Sequence, residues 1–127
     1  MATDALIAVQ ASVTKTATFN GAGVTLTTGT PRHGLWVRVL YSAATNASGS
    51  NSCTFSLDVS PDSGSTWYTH TSGAEQVINL STTAQSGEIW LPLETSDSQF
   101  RLTMTEAGAG STPTITYQGD LVFGRPS

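Results

Sequence analysis

Alternation constrains this chain more than any other feature. In Leu35-Trp36-Val37-Arg38-Val39-Leu40-Tyr41, an extended backbone puts Leu35, Val37, Val39 and Tyr41 on one side and Trp36, Arg38 and Leu40 on the other. Cys53, Phe55, Leu57 and Val59 alternate with Thr54, Ser56 and Asp58 in the same way, which makes Cys53 a small core hydrophobe. Short runs of the same kind recur about every ten residues: Val13–Phe19, Val24–Thr27, Thr66–His70, Glu75–Leu80, Glu88–Leu93, Gln99–Thr105 and Thr114–Tyr117. No stretch carries the three-and-four apolar spacing of an amphipathic helix. The pattern predicts an all-β fold, an antiparallel two-sheet β-sandwich of about eight or nine strands, with jelly-roll and immunoglobulin-like connections both open.

Local detail refines this expectation. Asn20-Gly-Ala-Gly23 between Val13–Phe19 and Val24–Thr27 reads as the turn of a hairpin. Pro92 places its strand at a sheet edge or at its end, and Asp120–Phe123 reads as a continuation across Gly119 as a bulged strand. Residues 1–10 read as an N-terminal arm or edge strand, and 11–127 as one domain.

Composition limits the chemistry. Of 127 residues only 11% are charged, less than half the usual ~25%. Five are basic, with Lys15 the one lysine, too few to form a stripe along a phosphate backbone, so no nucleic-acid partner is expected. The single cysteine gives neither a disulfide framework nor a Cys-rich metal site, and no cofactor is expected. The start, Met1–Gln10, lacks the basic region and long apolar run of a signal peptide or a membrane span, so synthesis in the cytoplasm and no membrane partner are the expectations. Ser and Thr supply roughly three residues in ten, a composition that suits solvated strand faces because the branched Thr fits the pleat and its hydroxyl meets water. Asn46-Ala-Ser48 and Asn79-Leu-Ser81 match the glycosylation sequon and read as chance matches in a Ser-rich chain.

One segment carries a pattern with a name. Ser60-Pro61-Asp62-Ser63-Gly64-Ser65-Thr66-Trp67 resembles the Asp box, Ser-x-Asp-x-Gly-x-x-Trp, of sialidase blades and other β proteins. The turn reading assigns structural work to Ser60, Asp62, Gly64 and Trp67: the Asp62 carboxylate accepts backbone N–H groups, Gly64 takes a positive φ, and Trp67 packs under the returning strand. A propeller would repeat the box on each blade, and it occurs once. Asp62-Ser-Gly64 also matches the aspartic-protease tripeptide, but Ser60 and Pro61 stand where that chemistry needs an apolar setting. His33 and His70 lack a nucleophile elbow nearby, and the carboxylates Asp58, Asp62, Glu75, Glu88, Glu94, Asp97, Glu106 and Asp120 lie on separate segments. The chain reads as a binding or structural protein, not an enzyme.

Gly29-Thr-Pro-Arg-His-Gly-Leu-Trp-Val-Arg-Val-Leu-Tyr41, a polar loop, and Cys53–Trp67 with its Asp-box-like turn together resemble the small capsid decoration or cement proteins of tailed bacteriophages over residues 12 to 70. That resemblance implies a β-sandwich seated on the outer surface of the virion, bound to the major capsid protein as a homodimer or homotrimer, and stabilising the shell through many repeated contacts. On this reading the strand face of Trp36 and Arg38 is the protein interface. The alternative is a carbohydrate-binding or adhesin module that uses Trp36, Trp67, Tyr68 or Trp90 as stacking platforms.

Overall fold

A computed structural model of the chain describes residues 5–25, 35–46, 51–62, 64–69, 75–93, 99–108 and 113–123. These form ten strands and no helix: β1 (Ala5–Lys15), β2 (Phe19–Asn20), β3 (Val24–Thr25), β4 (Leu35–Asn46), β5 (Ser52–Ser60), β6 (Tyr68–Thr69), β7 (Gln76–Asn79), β8 (Gln85–Leu93), β9 (Gln99–Ala107) and β10 (Pro113–Phe123). One sheet has the order β1-β10-β4-β8. In the other, β9 and β5 form the centre, β2 and β3 pair along β9, and β6 and β7 pair along β5. All pairings are antiparallel.

The short strands merge into longer rows. Phe19 faces Met104, Asn20 faces Thr103, and Val24 faces Phe100, so β2 and β3 run one after the other along β9. The hairpin expected at Asn20–Gly23 is therefore not formed. Gly21 N–H bonds the Leu102 carbonyl at 2.9 Å, and the Gly-rich segment is a bulge in a single edge row. Nor is Val13–Phe19 one strand: β1 ends at Lys15, and the chain crosses to the other sheet before Phe19. Period-two alternation continues across the crossing because both sheets turn their apolar side chains toward the same core.

With these mergers each sheet has four rows, arranged as in a jelly roll. The first two strands of an immunoglobulin-like sandwich share a sheet, whereas β1 and the β2–β3 row lie in opposite sheets, which removes that alternative. β8 with Pro92 lies at a sheet edge. β10 runs through Gly119 in unbroken register with β4, and the irregularities beside it belong to β1, so the bulge expected in β10 is absent. Gly119 is there for space: a Cβ on it would stand 2.9 Å from Leu102 Cδ2 of the facing sheet.

The core lies between the two inner faces. Leu35, Val37, Val39, Leu91, Leu93, Ile115 and Leu121 from one sheet meet Cys53, Phe55, Leu57, Phe100, Leu102 and Met104 from the other. Tyr117 crosses Phe55 edge to face at 5.0 Å, joining the layers. Polar groups close one end. Asn46 donates to Asn51 at 3.0 Å, Asn51 donates to Glu106, and Leu80 N–H bonds the Asn51 carbonyl at 2.9 Å.

Candidate functional site: the outer face of the β1-β10-β4-β8 sheet

Because Leu35, Val37 and Val39 point inward, Trp36, Arg38 and Leu40 must emerge on the outer face of the sheet. Register then sets their neighbours. Trp36 stands between Val122 and Pro92, Arg38 between Asp120 and Trp90, and Leu40 between Gln118 and Glu88. Trp90 is the diagonal neighbour of Trp36, and their rings meet at 6.4 Å with an interplanar angle of 77°. Both tryptophans are half-buried, so each keeps surface open to solvent.

Polar groups flank this aromatic pair. Arg38 Nη2 donates to Asp120 Oδ2 at 3.1 Å, with the two side chains 27% and 17% exposed. The Trp90 indole N–H donates to Glu88 Oε1 at 2.9 Å. Further along the same face an open recess is lined by Ser12, Leu40, Tyr41, Ser42, Thr116, Tyr117 and Gln118. Beside it the Thr14 and Thr116 hydroxyls meet at 2.8 Å. The face therefore runs from two aromatic rings, past an ion pair, to hydroxyl and amide groups. Such a surface presents flat apolar area next to donors and acceptors, the combination a polar ligand with apolar faces requires.

The Asp-box-like turn is built separately, over the other sheet. Asp62 Oδ1 accepts the Thr66 N–H at 2.8 Å and the Ser60 hydroxyl at 2.8 Å, while Ser60 Oγ accepts the Gly64 N–H at 2.8 Å. Gly64 has φ +93°, in the region that favours glycine. The Thr66 N–H bond, and then the Ser60 hydroxyl, hold the Asp62 carboxyl below the ordinary carboxylate range. Trp67 reaches from the start of β6 toward β9 and the β2–β3 row. Its ring lies across the sheet under the Arg101 guanidinium at 4.5 Å, and a Cβ on Gly23 would touch it at 3.1 Å. Arg101 in turn donates to Asp58 at 3.0 Å. Tyr68, on β6 at the sheet edge, is 57% exposed.

The remaining candidates are dispersed. Asp62 sits on an exposed turn, far from the dry setting of an aspartic-protease carboxylate. Asp58 is tied to Arg101 and Thr103, Asp120 to Arg38, Glu106 to Asn51 and Glu88 to Trp90. Cys53 is 1% exposed, and burial, with Glu106 nearby, pushes its thiol up to about 11. Of the two sequons, Asn46 is fully buried and Asn79 is exposed. His33, His70, Ser63, Glu94 and Asp97 lie outside the described residues, as does the Gly29–Gly34 lead-in.

Trp36 and Arg38 share a face as their spacing requires, but the partners that complete the site were not legible as partners. Asp120 lies 82 positions from Arg38, and Trp90 was visible only as one of several aromatics. The usable signal was the run Glu88-x-Trp90-x-Pro92, whose even positions place all three on one strand face.

No family model matches the chain, and no curated protein matches it. Among solved structures, one described as "CBM4 structure and function", a carbohydrate-binding module, superposes with a TM-score of 0.53 at 16% identity. The match covers 85% of this chain and 61% of that one, so this chain spans less than two thirds of its neighbour's length. The likeness is one of fold: an all-β sandwich of two antiparallel sheets. The resemblance to phage decoration proteins rests on the sequence pattern alone.

Proposed function

We propose that this protein is a non-enzymatic binding module and that the outer face of the β1-β10-β4-β8 sheet takes a carbohydrate. The observation that carries the reading is the Trp36–Trp90 pair, held half-exposed beside the Arg38–Asp120 ion pair and in line with the hydroxyl-lined recess. Indole rings stack on the C–H faces of sugars, while neighbouring polar side chains bond their hydroxyls. Arg38 is neutralised by Asp120, and Glu88 adds a negative charge, which favours a neutral glycan over an acidic one. The fold likeness to a carbohydrate-binding module supports the same reading.

Electrophoresis through gels containing soluble neutral polysaccharides tests it. Retardation by at least one neutral polysaccharide is the expected result, weakened about tenfold or more, the equivalent of ~1.4 kcal/mol, by Trp36→Ala or Trp90→Ala. Trp67→Ala should leave it intact. Retardation that survives both Trp36→Ala and Trp90→Ala would contradict the assignment of the face.

A second reading is favoured by the Gly29–Trp67 pattern. The same face would seat the chain on a phage head as a decoration protein bound to the major capsid protein, since jelly rolls serve in viral shells as well as in lectins. Stoichiometric co-sedimentation with capsids, lost on substituting Trp36 and Arg38, would favour that reading over the glycan.

A further inference from the structure

We infer that a second copy of this chain pairs antiparallel with the open edge of β8, about a two-fold axis at Ile89. The other described sheet edges are each protected against further pairing. β1 carries three extra residues against β10, at Ala5/Ile7, Ala8/Gln10 and Gln10/Val13, and such bulges spoil an edge for further pairing. The edges of the other sheet are broken into β2 with β3 and β6 with β7, all of four residues or fewer. β8 is nine residues long, and the one irregularity in its pairing with β4 is an extra residue on the β4 side, where Ala43 has φ +51°. Its outer edge is continuous.

Pro92 shows which groups that edge presents. It stands opposite Trp36 and has no N–H, so its nitrogen fits the ladder without loss only by facing away from β4. Alternate residues share that direction. The N–H and C=O groups of Glu88 and Trp90 therefore face the open edge.

An axis at Ile89 places Glu88 of each copy opposite Trp90 of the other, and the two pairs exchange four backbone hydrogen bonds. Pro92 then falls opposite Ser86 at the ends of the ladder, where its missing donor matters least. On the outer face each Glu88 carboxylate meets the partner's Trp90 indole N–H, the same donor and acceptor that bond within one strand at 2.9 Å. On the inner face Ile89 meets its symmetry mate. Ile89 is 9% exposed where its strand neighbours Leu91 and Leu93 are fully buried, so of these three apolar side chains it is the one with area left to bury. The two sheets become one of eight strands, with both Trp36–Trp90 pairs on a single face.

Light scattering during gel filtration should give twice the 13.2 kDa chain mass, with no ligand present. Glu88→Pro removes two of the four bonds by the device that Pro92 already uses, and should give a folded monomer with an unchanged circular dichroism spectrum. Amide hydrogen exchange on the unaltered chain provides the check if that variant does not fold. The Glu88 and Trp90 amides should slow as protein concentration rises, while those of Ile89 and Leu91 stay protected throughout. A monomer at every concentration, a dimer that persists in folded Glu88→Pro, or Glu88 and Trp90 amides that exchange freely at all concentrations would each overturn the inference. None of these readouts involves a glycan, so they stand apart from the test of the proposed function.

Discussion

Gly21 donates its N–H to the Leu102 carbonyl at 2.9 Å, and a Cβ on Gly21 would stand 2.9 Å from that same oxygen. The contact joins the β2–β3 edge row to β9 at the bulge. Because the obstructing atom belongs to the backbone, it cannot rotate aside. Gly21→Ala should cost about 1–3 kcal/mol, read as a lower urea midpoint with little change in slope.

This bulge also shows where sequence reasoning stopped. Alternation places Val13 and Phe19 toward the core, and both are partly buried against it. It does not say that they reach the core from opposite sheets, so a crossing followed by a bulge reads as a hairpin. Leu35–Tyr41 and Cys53–Val59 were legible because the alternation within each belongs to one strand in one sheet. Trp36 and Arg38 could be assigned to a common face for the same reason. Trp90 and Asp120 reach them through register between strands far apart in sequence, which no local pattern encodes. The Asp-box-like turn was legible because Ser60, Asp62 and Gly64 bond within a few residues of one another.

Ala43 occupies the bulge of β4 with φ +51°, a conformation that costs a non-glycine residue roughly 1–2 kcal/mol. The side chain is exposed and packs on nothing in the core. Ala43→Gly should raise stability by about 0.5–1 kcal/mol once the greater freedom of glycine in the unfolded chain is offset. A higher thermal midpoint is the readout.

Burial raises two acidic groups. The Cys53 thiol moves from 9.0 to about 11 and the Tyr117 hydroxyl from 10.0 to about 12, in each case chiefly through desolvation. A raised acid favours the neutral form in the folded state. Its stabilisation is complete below the unfolded value and is lost as pH rises through the folded one. The contribution of these two groups should therefore be constant up to about pH 9 and fall toward pH 12, by up to ~1.4 kcal/mol per pH unit for each titrating group. Denaturation across that range checks it, and Cys53→Ala should remove the earlier part of the fall. The same burial predicts that a thiol reagent labels Cys53 only on unfolding.

Asp62 Oδ1 accepts both the Thr66 N–H and the Ser60 hydroxyl, so Asp62→Ala should lower the midpoint of denaturant unfolding. The loss should be confined to the turn. Amide exchange should speed at Gly64 and Thr66 while the β4 and β8 amides are unchanged, and glycan retardation should persist.

On the proposed function, ligand meets the Trp36–Trp90 face and not the Trp67 end of the molecule. Titration of the isotope-labelled chain with a soluble neutral oligosaccharide, selected by the gel experiment and followed by NMR, tests it most directly. The Trp36 and Trp90 indole N–H signals and the β4, β8 and β10 amides should shift, with the Trp67 indole unmoved. Shifts centred on Trp67, Tyr68 and the Asp62 turn, with Trp36 and Trp90 silent, would contradict it.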